Sequence, residues 1–321
     1  MAKNLASCSW DTIYIHDGVT STVLLSFGAP GGSYSAQGAN GLAFDDVNGN
    51  LISVNSWSDT LYIHDGISST VSTSFSHVDW FGLTFDGANL ICIKFTPPGG
   101  DNRFHIHDGV TSTIVTTVSV PGNYARGITF DGTNLIYCDT ERTPGKIYIL
   151  DDKSSTVIGS FSSPDTSPEG LAFDGTNLIS CDDYSGKVYI HDGISSTVTS
   201  QFSATRHGLT MVPVEKPTAS NLKCEGQTNP ANVTDKTPEF SAVYKHVYGY
   251  ASAYYRIQVA RDINFTDIVW DSGKKGLEGF GNGDTVSLGE CEVSLPLDGT
   301  KYYWRVKFWD SEGNEGDWSS E

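Results

Sequence analysis

The residues best suited to chemistry in this chain are its histidines, a scatter of carboxylates, six cysteines and a set of aromatics placed between apolar runs. Four histidines share one motif, His-Asp-Gly, at His16, His64, His107 and His191. Recurrence of that kind invites a metal or catalytic reading. Against it, the corresponding segment of the fourth copy reads Leu150-Asp151-Asp152, and residues one repeat apart cannot share an ion held at about 2 Å. The motif reads instead as a turn with a structural histidine. The Phe-Asp-Gly-Thr-Asn segments at Phe130 and Phe173 lack the alternating aspartates and the final glutamate of a calcium loop, so they too read as turns. For general acid–base work the one suitable set is His207, beside Arg206, with Glu169. There is no G-x-S-x-G, no HExxH and no phosphate-cradling loop. No metal and no cofactor is expected.

The cysteines give the same answer. No CxxC spacing occurs. Cys8, Cys92, Cys138 and Cys181 each close a short apolar run beginning Asn-Leu, and the remaining copy has Val54 at its end. A place that takes Cys or Val is a buried small-hydrophobe site, and no cation stands beside it to favour a thiolate. Cys224 and Cys291 fall in the last third, and the sequence leaves open whether they pair.

What must position these residues is an internal repeat. The segment at Gly41 (GLAFD) returns at Gly82, Gly127, Gly170 and Gly208, about 40 residues apart each time. The first four copies continue with Asn-Leu-Ile, a variable loop, a run such as LYIHDG and a Ser-Thr-Val run ending in Phe. The stretch IHDGISSTV occurs identically at Ile63 and Ile190. Each unit therefore holds four short runs rich in Val, Ile, Tyr and Phe, separated by Asp-Gly turns, which predicts one four-stranded antiparallel sheet per repeat. A single such sheet cannot cover both of its apolar faces, and radial stacking of the repeats, a β-propeller, can. The chain enters the array on the second run (Asn4 to Cys8) and leaves it on a first run (Gly208 to Val212). Counting runs of each kind predicts five blades, the first completed by the last strand, so that the two ends of the array close the ring and leave no free sheet edge.

These segments resemble the YVTN and NHL-type propeller repeats, as GLAFDGTNLIS at Gly170, KVYIHDG at Lys187 and SSTVTSQF at Ser195 illustrate. The resemblance spans roughly the first two thirds of the chain and implies a propeller fold. Proteins of this type include surface proteins, ligand sensors, lyases and lactonases, so it implies no single function. The repeat stops after Val214, and Glu215 to Pro217 reads as a linker. In residues 217–321 the stretch LDGTKYYWRV, Leu297 to Val306, resembles the corner of a fibronectin type III sandwich, which implies that Tyr302 bonds back to the upstream turn. Tyr303, Arg305 and Lys307 alternate with Trp304, Val306 and Phe308, a solvent face against a core face. The expected architecture is thus all-β: a five-bladed propeller over 1–214 and a fibronectin-like sandwich over 217–321. The chain ends at DWSSE, which suggests that the sandwich lacks its last strand and that the natural protein continues or a partner fills the edge.

In a propeller the near-identical Asp-Gly turns share one face and the variable loops share the other. Recognition belongs on variable loops carried by a rigid scaffold. Just before each repeat glycine stand Asn40, Phe81, Arg126, Glu169 and His207, five different residues expected to ring the channel mouth. The ends of the second runs add Ser9, Asn55, Lys94, Asp139 and Asp182. Trp10, Trp57, Trp80, Tyr124 and Tyr184 lie nearby, able to stack on sugar rings or a protein surface, or else to pack between blades. From these the expected binding residues are Trp10, Asn40, Trp57, Trp80, Phe81, Arg126, Asp139, Glu169, Asp182, Tyr184 and His207.

Charge narrows the partners. Twenty Lys and Arg against 38 Asp and Glu leave a net charge of −18 over 321 residues, which repels phosphate backbones and anionic lipid. No run of about 18 apolar residues occurs, and the first eleven residues lack the apolar stretch of an export signal. The chain reads as a soluble, non-enzymatic recognition or scaffold module that binds a glycan or protein surface through the propeller loops and contacts other subunits through its C-terminal domain. Nucleic acid and membrane insertion are not expected. The expected setting is a virion appendage or a cell surface. The rival reading is a lyase or hydrolase working at the channel mouth through His207 and Glu169.

Overall fold

The Asp-Gly turns do what their chemistry predicts. In the computed structural model Asp86 Oδ1 accepts the amides of Ala88 and Asn89, Asp131 Oδ1 those of Thr133 and Asn134, and Asp174 Oδ1 those of Thr176 and Asn177, all within 2.9 Å. Gly87, Gly132 and Gly175 follow at φ of 90–104°, where a side chain would be strained. A second device recurs beside them. The Asn of each Asn-Leu segment sends its Oδ1 to the backbone amide of the next turn: Asn4 to Gly18, Asn50 to Gly66, Asn89 to Gly109, Asn134 to Asp152 and Asn177 to Gly193, at 2.9–3.3 Å. One side chain at the start of the second run thereby ties it to the turn before the fourth run in each of these five repeats.

The structure describes residues 3–31, 39–76, 80–94, 102–140, 144–204 and 207–319. The chain divides into two compact units, Met1–Val214 and Glu215–Glu321. Among the described residues the first unit forms five four-stranded antiparallel sheets. The first sheet contains β1 (Lys3–Ser9), β2 (Thr12–His16) and β3 (Val23–Gly28). The second contains β4 (Ala39–Asp45), β5 (Asn50–Asn55), β6 (Thr60–His64) and β7 (Val71–Ser76). The third contains β8 (Trp80–Phe85), β9 (Leu90–Lys94), β10 (Arg103–His107) and β11 (Ile114–Ser119). The fourth contains β12 (Ala125–Phe130), β13 (Leu135–Asp139), β14 (Lys146–Leu150) and β15 (Val157–Ser162). The fifth contains β16 (Pro168–Phe173), β17 (Leu178–Asp182), β18 (Lys187–His191) and β19 (Val198–Ser203). The unit's last strand, β20 (Gly208–Pro213), pairs with β1 from Lys3↔Pro213 to Cys8↔Gly208 and completes the first sheet.

The apolar residues are buried between sheets. Separate clusters join the second sheet to the third, the third to the fourth, the fourth to the fifth, and the fifth to Leu5, Leu209 and Met211 of the first. The repeat glycines explain how the sheets approach so closely. A Cβ on Gly41 would strike the carbonyl oxygen of Phe81, on Gly82 that of Arg126, on Gly127 that of Glu169 and on Gly170 that of His207; on Gly208 it would lie 3.0 Å from that of Asn40. Each glycine thus abuts the residue before the next one, and the fifth abuts the first.

The buried thiols reinforce these seams. Cys8 Sγ donates to Ala39 O and Cys138 Sγ to Pro168 O, both at 3.2 Å. Burial pushes the Cys92, Cys138 and Cys181 thiols well up. The register corrects the expected alignment at one position. Cys92 pairs with His105 and Ile93 with Phe104, whereas Cys138 pairs with Ile147 and Tyr137 with Tyr148. Ile93 therefore stands in the place held elsewhere by Cys or Val, and Cys92 takes the place of Ser7, Ser53, Tyr137 and Ser180.

That neighbouring place explains the His-Asp-Gly histidines. Ser7, Ser53 and Ser180 lie 2.8–2.9 Å from Nε2 of His16, His64 and His191. Nδ1 of His64 and His191 donates to Ser68 O and Ser195 O, so the serines supply the proton to Nε2. A phenylalanine of the preceding sheet packs on each ring, Phe202 on His16, Phe27 on His64 and Phe161 on His191.

The second unit contains β21 (Thr218–Cys224), β22 (Glu239–Lys245), β23 (Ser252–Ala260), β24 (Ile268–Asp271), β25 (Lys275–Gly276), β26 (Thr285–Glu290) and β27 (Tyr303–Asp310). One sheet runs β21-β22-β26; the other has β23 between β27 and the short β24 and β25. Phe240, Tyr244, Trp270, Val306 and Phe308 fill the core, with Trp304 packed against it, as the alternation along β27 predicts. Cys224 and Cys291 are both buried in this core as free thiols. Tyr302 packs against it too, partly buried.

Among the described residues no strand follows β27, and the segment after it covers part of the final edge. The chain turns at Asp310, whose Oδ1 accepts the amides of Glu312 and Asn314, and comes back along β27. Gly316 N bonds Phe308 O at 2.9 Å and Ser319 N bonds Val306 O at 2.8 Å. On this returning segment Trp318 stacks between the cations of Arg305 and Lys307, while Arg305 also covers Phe265 at 4.0 Å. Lys307, Trp309, Lys274 and Tyr254 extend the same alternation of cation and ring.

Candidate functional site

The five residues before the repeat glycines are carried to one place because their glycines line one narrow cleft, together with Asn40 and Glu169. Their side chains interlock. The Arg126 guanidinium lies 4.2 Å from the centre of the Phe81 ring, and its Nε is 3.9 Å from Glu169 Oε1. His207, buried, packs on Trp10 with ring centres 4.1 Å apart and planes tilted by 54°, and has Nε2 3.8 Å from Asp183 Oδ1. Asn40 Oδ1 accepts the Ser56 hydroxyl at 3.0 Å. Burial pushes the Glu169 carboxyl up to about 7; Arg126 opposes that shift, and Asp183 and Asp182 add to it. The cavity in the cleft is about 10 Å³, room for a single water and far below the few hundred cubic ångströms of ordinary small-molecule sites.

Asp139, Asp182 and Asn55, at the ends of the second strands, are turned to another task. Asp139 Oδ2 accepts the Tyr124 amide, Asp182 those of Ser167 and Ser185, and Asn55 Oδ1 those of Trp57 and Ser58. All three are at most 2% exposed. They hold the variable loops in shape and present little to solvent.

What those loops present is aromatic. Trp57 is 69% exposed in the β5–β6 turn, Tyr184 is 85% exposed in the β17–β18 turn and Trp10 is 39% exposed in the β1–β2 turn. Of the expected residues, Asn40 and Glu169 thus line the cleft, Phe81, Arg126 and His207 each precede a glycine that lines it, Asp139 and Asp182 hold the loops, and Trp10, Trp57 and Tyr184 stand exposed on turns. Trp80 begins β8, and its side chain lies outside the described residues, as do most of the β9–β10 and β13–β14 loops. Sequence reasoning missed Asp183 and Ser56, which link cleft to turns; the signal available was the doubled acid Asp182-Asp183 and the Ser preceding Trp57. Among the described residues no group of three or more His, Cys, Asp or Glu is arranged to hold a metal ion. No helix among them is long and apolar enough to cross a membrane.

With this geometry in hand, comparison with known proteins bears on fold. Residues 219–321 match the family described as the Rha78A-like, N-terminal immunoglobulin domain. The C-terminal unit is immunoglobulin-like. No curated protein matches the chain. Similar solved structures include the Cps50 (Swd1) β-propeller domain of Myceliophteria thermophila, at 13% identity and a TM-score of 0.40 over 100% of this chain and 93% of that one. A nidogen/laminin complex aligns at 16% identity and 0.46, over 66% and 98%. The Myxococcus xanthus glutaminyl cyclase aligns at 16% and 0.42, over 54% and 70%. Propeller folds recur among these structures, and at such identities they say nothing of ligand or reaction.

Proposed function

We propose that the first unit is a closed, five-bladed propeller of the YVTN/NHL kind, serving as a non-enzymatic recognition module, and that the second is a fibronectin-like connector to other subunits of a virion or cell-surface assembly. Three supports underlie the ring: β20 completes the first sheet, the glycine contacts return from Gly208 to Asn40, and Phe202 packs on His16. The observation that carries recognition is the exposure of Trp10, Trp57 and Tyr184 at the tips of turns whose backbones are pinned by buried residues. Large rings held in water on rigid turns are what a binding surface offers to a glycan or to another protein.

A second reading, acid–base catalysis at the cleft, draws on Glu169, whose carboxyl titrates near neutrality. The cleft is too small for a sugar ring. Paired glycan and protein arrays test the first reading: binding is expected and should disappear in the Trp57→Ala/Tyr184→Ala double variant. Turnover of a lactone or uronate polymer that is lost in Glu169→Gln would favour the second instead.

A further inference from the structure

The exposed aromatics do not stand alone on the loop face; polar groups join them into one strip. From Tyr184 the chain steps to Asp183, which approaches His207; His207 packs at a tilt on Trp10; Trp10 O accepts the Ala39 amide; Asn40 then accepts the Ser56 hydroxyl, and Trp57 follows. Three rings thus alternate with hydrogen-bonding groups across the fifth, first and second sheets. Each ring has a carboxylate at most two positions away: Asp11 beside Trp10, Asp59 near Trp57 and Asp183 beside Tyr184.

Resting on the recognition reading above, we infer that this strip binds a linear oligosaccharide of neutral or amino sugars, several residues long, and discriminates against acidic ones. Sugar rings spaced along the oligosaccharide stack on Tyr184, Trp10 and Trp57, whose π-surfaces suit the apolar C–H faces of pyranoses. Hydroxyl or ammonium groups of the sugars between them meet the exposed carboxylates such as Asp183. The carboxylates, on a chain of charge −18, repel uronate, sulfate and sialate. A repeated arrangement of rings favours a repeating ligand, because each added sugar engages another turn without new ordering of the protein.

The test is isothermal titration of the full chain with cellobiose through cellohexaose, the chitosan hexamer and hexagalacturonate, in parallel with a polylysine peptide. Binding of a neutral or amino hexamer is expected to be at least tenfold tighter than of its disaccharide and at least tenfold tighter than of hexagalacturonate. Trp57→Ala and Tyr184→Ala, at exposed positions, should each weaken it about tenfold, with Trp57→Phe restoring most of the loss. Equal or tighter binding of hexagalacturonate overturns the inference, as does affinity indifferent to length or to both alanine variants. Capture of polylysine or an arrayed protein through these same rings, with no sugar bound, overturns the glycan assignment while the recognition reading survives. Silence on sugars and proteins alike removes both.

Discussion

At the scale of single residues, burial that outweighs neighbouring charge sets the pH behaviour. Glu169 ionises at about 7 in the folded chain against 4.5 in water. The folded state therefore holds a proton that the unfolded chain releases, and stability falls as pH rises between these two values. Glu169→Gln should flatten that decline, read from urea midpoints at successive pH, and carboxyl carbon NMR should place the Glu169 midpoint near neutrality. His64 and His191 act with the opposite sign. Burial lowers both, so the unfolded chain takes up protons first and stability is lost as pH falls below 6.5 toward the folded values. Ser53→Ala, which leaves His64 Nε2 buried without a donor, should lower stability by about 1–3 kcal/mol in equilibrium unfolding. The sequence marked these histidines as structural but gave no sign of their serine partners, since the bond joins residues of two different strands. It also pointed to Asp139 and Asp182 as ligand groups. Loop amides bond both oxygens of Asp182 and Oδ2 of Asp139.

At the scale of elements, turns and close approaches were the legible part. Asp-Gly and Asn-Leu punctuate every repeat, and strand positions follow from them because those residues do backbone work that few others can do. The slip at Cys92 shows the limit: its cysteine stands one place earlier in a run of the same length, and only the pairing of β9 with β10 reveals which residue faces which. The repeat glycines are the sharpest test of packing. Gly127→Ala places a methyl 2.8 Å from Glu169 O and from Gly170 Cα, and should destabilise by about 1–3 kcal/mol in thermal or urea unfolding. At the far end of the chain, the returning segment at Gly316 to Ser319 was not foreseen, because no β-prone run announces it. Its hold is the Trp318 ring between Arg305 and Lys307. Trp318→Ala should expose the Val306 and Phe308 carbonyls, read as faster amide exchange at Gly316 and Ser319.

At the scale of the whole molecule, counting strands in the sequence predicts that the first strand finds its partner at the far end of the array, and β20 is bonded there. The composition spoke of surface charge but named no ligand, since sugars and peptides are bound by the same residue types. Ending the chain after Ser203 removes β20 and bares β1. Such a truncation should lose the single cooperative unfolding transition and aggregate on size-exclusion chromatography. The antiparallel register has a mechanical corollary. Lys3 faces Pro213, so the chain enters and leaves this sheet at the same end. Tension applied between those two points does not shear six residue pairs at once but unzips them singly, beginning with the outermost. An array built this way yields at low force, and a load passed on toward the immunoglobulin-like unit reaches that zipper before it reaches any other strand.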